Sequence, residues 1–294
     1  MQNKTNCPLC SSESKNKPAF PFYTKYLGQH FNFHSCCQCN TAFICPLPTE
    51  YILNSIYSGS SYHVNNYSDK SSQYQESLDF FVKCIKDYDF KMKLLDYGCG
   101  VGYFINEANE RGFNAEGVEF SADAVLIAHQ ETHVNIMTVN DLDNEKKMQY
   151  DVVHLGDVLE HLTNPILCIT ELLSFLKIGG YLYVEGPLER NFSFVNYMVM
   201  TFGLIKYRLG LTRSNSFSPT HLFRTDSRAQ FNFFKKNFRN LYEIKYEVYE
   251  TGWPYSEHTG LRFLISKIST MISFLIPLKF NYGNRFRIIL KKTM

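Results

Sequence analysis

Three glycines at alternate positions, Gly98, Gly100 and Gly102, follow Asp96 at the end of the apolar run Leu94-Leu95. Without a Cβ, such residues let backbone approach a ligand closely, and a helix starting just beyond them presents free N–H groups. Asp96 can accept from an ammonium group or fix the turn. Glu119, 23 residues after Asp96, is spaced to take both hydroxyls of a ribose. A second set of candidates is Asp157, Glu160 and His161. If the chain turns helically there, positions i, i+3 and i+4 share a face. His161, with an ordinary pKa of about 6.5, then suits a general base toward a hydroxyl; the alternative is that Glu160 and His161 are structural hydrogen-bonding groups. His221 is a second histidine that could serve as a base, against a helix-capping or packing role. Arg190, Arg208 and Arg213 offer guanidiniums to an anionic acceptor such as a nucleotide-linked sugar, or stay solvated.

Cys7-Pro8-Leu9-Cys10 and Cys36-Cys37-Gln38-Cys39 are two C-x-x-C knuckles, the pattern by which four thiolates hold tetrahedral zinc in a closed, structural site. The spacer of 25 residues is long for a compact ribbon. Cys37, Cys45, His30 and His34 lie nearby and keep the ligand set open, and unligated thiols in a small core are the other reading.

The elements that must position these groups follow from periodicity. Residues 1–48 are cysteine-rich and end in Pro46-Leu47-Pro48, a boundary; residues 49–92 form a helical lead-in, with Ser71 to Tyr88 at helical spacing. Over 93–187 the chain alternates: strands near Leu94, Ala115–Glu119, Asn135–Val139, Tyr150–Leu155 and Tyr181–Glu185, and helices from Phe104, Ala122 and Ile166. Gly179-Gly180 is expected to cap the last helix. The alternation predicts an α/β fold with a doubly wound parallel sheet. Residues 188–294 are read as an insertion to Ser218 over the strand ends, then a helix from Arg224, strands at Leu241–Glu250 and Arg285–Leu290, and an amphipathic helix over 261–276.

The run Leu94 to Gly102 resembles the first motif of class I S-adenosylmethionine-dependent methyltransferases, and its glycine spacing departs from the G-x-G-x-x-G of dinucleotide sites. The likeness continues through Gly117-Val118-Glu119, Asn140-Asp141-Leu142, Asp151-Val152-Val153 and Leu176 to Gly180. It implies a Rossmann-like fold with S-adenosylmethionine held by Asp96, Gly98, Cys99, Gly100, Gly102, Glu119, Phe120, Asp141, Leu142 and Gly156, the Asp141-Leu142 pair at the adenine. The knuckles, followed by Pro46, Pro48 and Tyr57, are similar to the zinc-binding leader of a bacterial methyltransferase group acting on sugars and other small molecules. That likeness implies zinc on Cys7, Cys10, Cys36 and Cys39, and places Tyr57, Tyr62 and His63 near the cofactor entrance or in packing. Asp157-x-x-Glu160-His161 resembles the acid-x-x-Glu-His of ubiquinone-type O-methyltransferases, associated there with a divalent cation, although many relatives with a similar Leu-Glu-His-Leu stretch need no metal. Pro219 to Thr225 resembles the His-Leu-x-x-Thr segment near the acceptor pocket of small-molecule methyltransferases. The implied reaction is methyl transfer to an oxygen, nitrogen or carbon of a small molecule, with a sugar or cell-surface glycan precursor as the expected acceptor. The alternatives are an RNA or protein methyltransferase using the zinc segment for recognition, and a cofactor-binding protein without catalysis.

Composition bounds these readings. In 294 residues, 45% hydrophobic and 20% charged, the chain has the makeup of an ordered globular protein. A net charge of +2 is too small to predict a nucleic-acid partner. From Leu261 to Met294, however, there are seven basic residues and no Asp or Glu, so this region favours an anionic partner, with peripheral membrane contact or packing on the sheet as its two readings. The apolar run Ile268–Leu278 is shorter than the roughly 20 residues a membrane span needs. The polar N-terminus lacks a secretory signal, which points to a reducing cytoplasm or its membrane face.

Overall fold

The computed structural model describes residues 6–12, 17–57, 71–89, 91–142, 144–211, 218–253, 260–276 and 281–293; Tyr62, His63 and Arg213 lie outside them. The central sheet has seven strands: β4 (Lys93–Tyr97), β5 (Asn114–Glu119), β6 (Ile136–Thr138), β7 (Tyr150–Gly156), β8 (Leu176–Pro187), β10 (Leu241–Tyr249) and β11 (Arg285–Lys292), in the order β10-β11-β8-β7-β4-β5-β6. Helices α2 (Ser71–Cys84), α3 (Tyr103–Glu110), α4 (Ala122–Glu131), α5 (Pro165–Phe175) and α7 (Ser227–Asn237) cover it. Strand order reverses beside β4, so the turn after β4 and the loop after β7 open into the crevice where such sheets bind ligands.

Two expectations need correction. The sheet is mixed: β11 lies antiparallel between β8 and β10. Its Phe286, Ile288, Ile289 and Leu290 are all buried, so this last strand needs an interior slot with both faces covered. Nor do Gly179 and Gly180 cap a helix. Helix α5 ends at Phe175 and β8 begins at once; Gly179, at φ 81°, sits in a bulge where the pairing slips between Tyr150↔Leu176 and Val152↔Tyr181.

A smaller antiparallel sheet, β1 (Lys17–Tyr26), β2 (Gln29–Ser35) and β3 (Ala42–Cys45), is completed by β9 (Phe223–Arg224), which pairs with β3. Its Phe31, Phe33 and Ile44 belong to the same hydrophobic cluster as Leu95, Val153 and Leu182 of the central sheet. The cysteine segment is thereby joined to the core of the central sheet. Helix α1 (Glu50–Tyr57) buries Ile52 and Ile56 in that cluster. Two further helices, α6 (Phe194–Arg208) and α8 (Gly260–Leu275), pack on one another. No helix among the described residues is long and apolar enough to cross a membrane.

Candidate active site

The turn after β4 takes the shape its sequence demands. Gly98, Gly100 and Gly102 have φ of 78°, 57° and 84°, where a side chain is strained. A Cβ on Gly98 would also stand 2.5 Å from Cγ2 of Val158. Gly98 and Cys99 donate to the Val118 carbonyl, hooking the turn to the end of β5. Gly102 is the residue at the start of α3. Glu119 is buried at the tip of β5 with Oε2 accepting from Gly100 N (2.8 Å) and Oε1 from Phe120 N and Ser121 N (2.7 and 2.9 Å). Gly98, Glu119 and Phe120 line a cavity of about 230 Å³ with Tyr57, Val139 and Val158. Asp141 and Leu142 line neither this cavity nor the larger one. Asp141 Oδ2 is spent locally, accepting from Thr138 N and Oγ1 (2.9 and 2.6 Å), and Val139 of the same turn faces the cavity instead.

A second chamber, of about 1010 Å³, adjoins the first: Gly98, Asp157 and His161 line both. Asp96, Cys99 and Gly156 face this chamber, and Gly100 and Gly102 shape the turn from behind. Asp96 accepts from His154 Nδ1 (2.7 Å), whose Nε2 stands 3.5 Å from Glu185. His154 is stacked on Phe104 at 4.0 Å. Burial alone would lower its pKa, but the charge and hydrogen bond of Asp96, with Glu185, raise it to about 9. Sequence reading passes over His154 and Glu185. The available signal is an ionisable side chain inside the apolar strand Val152-Val153-His154-Leu155.

At the junction of the two cavities, the segment after β7 does turn, as a 3₁₀ turn over Leu159–His161. Glu160 is buried, with Oε1 lacking any hydrogen-bond partner. It lies 3.8 Å from His161 Nε2 and 4.0 Å from His221 Nε2. His161 Nδ1 is 2.9 Å from the Thr220 carbonyl, which only accepts, so this nitrogen carries the hydrogen; the Tyr57 hydroxyl is 3.0 Å from the same atom. Burial and the charge of His221 push the His161 pKa down to about 3. The sequence offers an ordinary titrating base at this position, whereas the burial makes it a neutral, weakly basic imidazole. His221 behaves oppositely. Burial disfavours its charge, but Glu189, at 3.0 Å from Nδ1, outweighs that and lifts the pKa to about 9. Burial in turn raises Glu160 to about 7.

In the ubiquinone-type pattern Asp157-x-x-Glu160-His161, the first acidic member is engaged elsewhere. Asp157, in the first acidic position, accepts from Arg285 Nη2 at 2.6 Å. Glu160, His161 and His221 bring their donor atoms within 4.8 Å of one another, close enough to share a cation.

The four cysteines Cys7, Cys10, Cys36 and Cys39 do gather, with all sulfurs within 4.8 Å and the Cys7–Cys39 and Cys10–Cys36 pairs at 3.6 Å. Thiolates about 2.3 Å from a tetrahedral zinc would stand at about this separation. The knuckles are built alike: Ser11 N donates to Cys7 O and Asn40 N to Cys36 O, each at 2.9 Å, and Ser11 and Asn40 both have left-handed φ. The hydrogen bond from Cys7 holds the Cys39 thiol down to about 5. Cys37 is exposed, and neither it nor Cys45, His30 or His34 joins the cluster. The 25-residue spacer is taken up by the β1–β2 hairpin.

Comparison with known proteins agrees with this architecture. A methyltransferase-domain family model matches residues 70–234, more than half of the chain. Among curated proteins, the chain is 34% identical over 110 residues to the ubiquinone biosynthesis O-methyltransferase of Glaesserella parasuis, and 28% identical over 120 residues to that of Hydrogenovibrio crunogenus. These matches take in 33% and 38% of this chain and 45% and 49% of the relatives, so the chain spans about half the length of the relatives it matches. Solved structures share the fold at low identity. A SAM-dependent methyltransferase from Thermotoga maritima matches over 83% of this chain and 100% of its own, at TM-score 0.50 and 16% identity. A chain of the Haloferax volcanii complex between the Trm112 methyltransferase activator and a methyltransferase matches over 84% and 100%, at TM-score 0.53 and 11% identity. With the family match over residues 70–234 and the strand order in agreement, the chain belongs to the methyltransferase-domain family.

Proposed function

We propose that this enzyme methylates a small polar molecule of the sugar type, with the cofactor in the 230 Å³ cavity and the adjoining part of the larger chamber. The observation that carries the reading is the meeting of the two cavities at Gly98, Asp157 and His161. A Cβ at Gly98 would collide with Val158 of the cavity wall, and Glu119 lines the same space. Bound S-adenosylmethionine supplies an activated methyl group, so the chain has mainly to orient the acceptor and exclude water. Ser35, Asn40, Asn196 and Thr220 give the chamber the hydrogen-bonding wall that a sugar or glycan precursor needs.

Glu160 Oε1, buried and unpartnered between two imidazoles, takes the proton from the acceptor. His221, held protonated by Glu189, steadies the carboxylate, and His161 is fixed by Thr220. Zinc is the ion that suits the four-thiolate cluster, in a structural role. The exposed apolar and basic faces of α6 and α8 support peripheral contact with the inner face of the cytoplasmic membrane.

The test is incubation of the purified protein with methyl-labelled cofactor and cell extract separated by size. Label is expected in the small-molecule fraction, independent of added magnesium, and lower by about 10²–10⁴-fold in Glu160→Gln. Label confined to RNA or protein, or none in any fraction, would overturn the reading.

A further inference from the structure

Arg190 stands apart from the other arginines of the chamber. Arg224 faces Glu189 at 3.4 Å and Arg285 binds Asp157 at 2.6 Å. Arg190 has no carboxylate within 4 Å among the described residues. Its Nη2 donates only to neutral oxygens, Asn40 Oδ1 at 2.8 Å and Ser35 Oγ at 3.3 Å, and its Nε is buried with no partner. The side chain is half-buried and lines the chamber beside Pro18, Ala19 and Phe20 of β1. Burial lowers its pKa, the charge of Asp226 opposes this only in part, and Arg224 adds a smaller lowering. A half-buried charge with neutral neighbours is costly unless an opposite charge joins it.

The residues that hold Arg190 come from the second cysteine knuckle. Ser35 precedes Cys36. Asn40 closes the turn with N–H to the Cys36 carbonyl, at φ 63°. Its amide is then spread between two partners: Oδ1 accepts from Arg190, and Nδ2 donates to Asp226 Oδ2 at 3.2 Å. The knuckle therefore presents a fixed acceptor to the guanidinium across 150 residues of sequence.

We propose that Arg190 binds an oxyanion carried by the acceptor, a phosphate or a carboxylate, and that the Cys36–Asn40 knuckle is the device that positions it. The cysteine cluster then serves acceptor recognition as well as stability. This rests on the larger chamber being the acceptor site, and it adds which group of the acceptor is recognised and by what.

The experiment uses the full chain, metal-loaded and saturated with S-adenosylhomocysteine, titrated calorimetrically with inorganic phosphate and, separately, with acetate. At least one is expected to bind, and the stronger of the two identifies the oxyanion. Arg190→Gln weakens that binding about tenfold or more, the loss of a charge-assisted hydrogen bond. Arg190→Lys restores part of it, and Asn40→Ala weakens it severalfold. Affinity for S-adenosylhomocysteine stays within twofold in all three, and Arg208→Gln, an exposed position on α6, changes neither affinity. Equal anion affinity in wild type and Arg190→Gln, or no anion binding to a wild type that binds S-adenosylhomocysteine, overturns the proposal while leaving the methyltransferase reading in place. Anion binding lost in Arg190→Gln together with label appearing only in macromolecules would sink the small-molecule reading and keep the anion site.

Discussion

Glu189 and His221 are the residues whose protonation is most firmly tied to the fold, because each holds the other's charge. His221 is raised from 6.5 to about 9, so its contribution to stability is complete below about pH 6.5 and is lost as pH rises through about 9. Glu189, lowered from 4.5 to about 2 chiefly by Arg224 and His221 against the cost of burial, contributes above about pH 4.5 and loses that as pH falls toward 2. Between these limits Glu160, raised to about 7 by burial, must lose its proton to act as base. Turnover is accordingly expected to rise with pH through about 7 and to fall through about 9. Glu189→Gln removes the partner that keeps His221 charged, so the alkaline limb moves down by about one unit or more. A kcat profile recorded across this range in both proteins checks the assignment, and an alkaline limb unmoved by Glu189→Gln would separate His221 from the proton inventory.

At the scale of elements, the two cysteine knuckles flank the small sheet that β9 completes, and Cys7, Leu9 and Cys36 share one hydrophobic cluster with the central strands. A metal holding the knuckles is therefore tied to the stability of the whole core. Protein purified under reducing, chelator-free conditions is expected to carry about one zinc ion per chain. Stripping it should lower the melting temperature by about 10 °C or more in a single transition, because structural zinc contributes many kcal/mol of folding free energy. Metal-free protein with an unchanged melt would remove zinc from the fold. How much of this could be read from sequence depends on distance along the chain. The alternation from Lys93 to Glu185 is legible because period and glycine turns are local signals, and the two C-x-x-C pairs are legible because ligand spacing is local. The pairing of β3 with Phe223–Arg224, the place of β11 inside the sheet and the Asp157–Arg285 bridge, 128 residues apart, are not, since nothing local records them. The same holds for function: His161 and His221 are visible as residue types, whereas their opposite pKa shifts come from the depth of burial, from the charge of His221 beside His161 and from Glu189 beside His221.

For the molecule as a whole, basic charge and exposed apolar surface coincide on α6 and α8, which pack on one another. Residues 190–225 and 258–294 contain no Asp or Glu. Within them α6 exposes Tyr197, Met200 and Ile205, and α8 exposes Leu264, Met271 and Phe274, the last 84% accessible. Lys206, Arg208, Arg262 and Lys267 are exposed on the same two helices. Val195, Val199 and Met200 of α6 also line the chamber, so a surface docked on this pair of helices would lie beside the acceptor's entrance. Both helices are too short or too polar to span a bilayer, and the combination of an apolar face with cationic flanks suits the headgroup region of an anionic membrane. The full chain is expected to sediment with vesicles containing phosphatidylglycerol and not with pure phosphatidylcholine, and to be released as salt shortens the Debye length to a few ångströms. Replacing Phe274 and Leu264 by Glu removes buried apolar contact of about 1.5–3 kcal/mol for each side chain and adds repulsion, so vesicle affinity should fall by more than about tenfold. Because neither residue lines the chamber, methylation of a soluble acceptor should persist in this double variant. Equal sedimentation of wild type and variant would show that these helices meet something other than lipid.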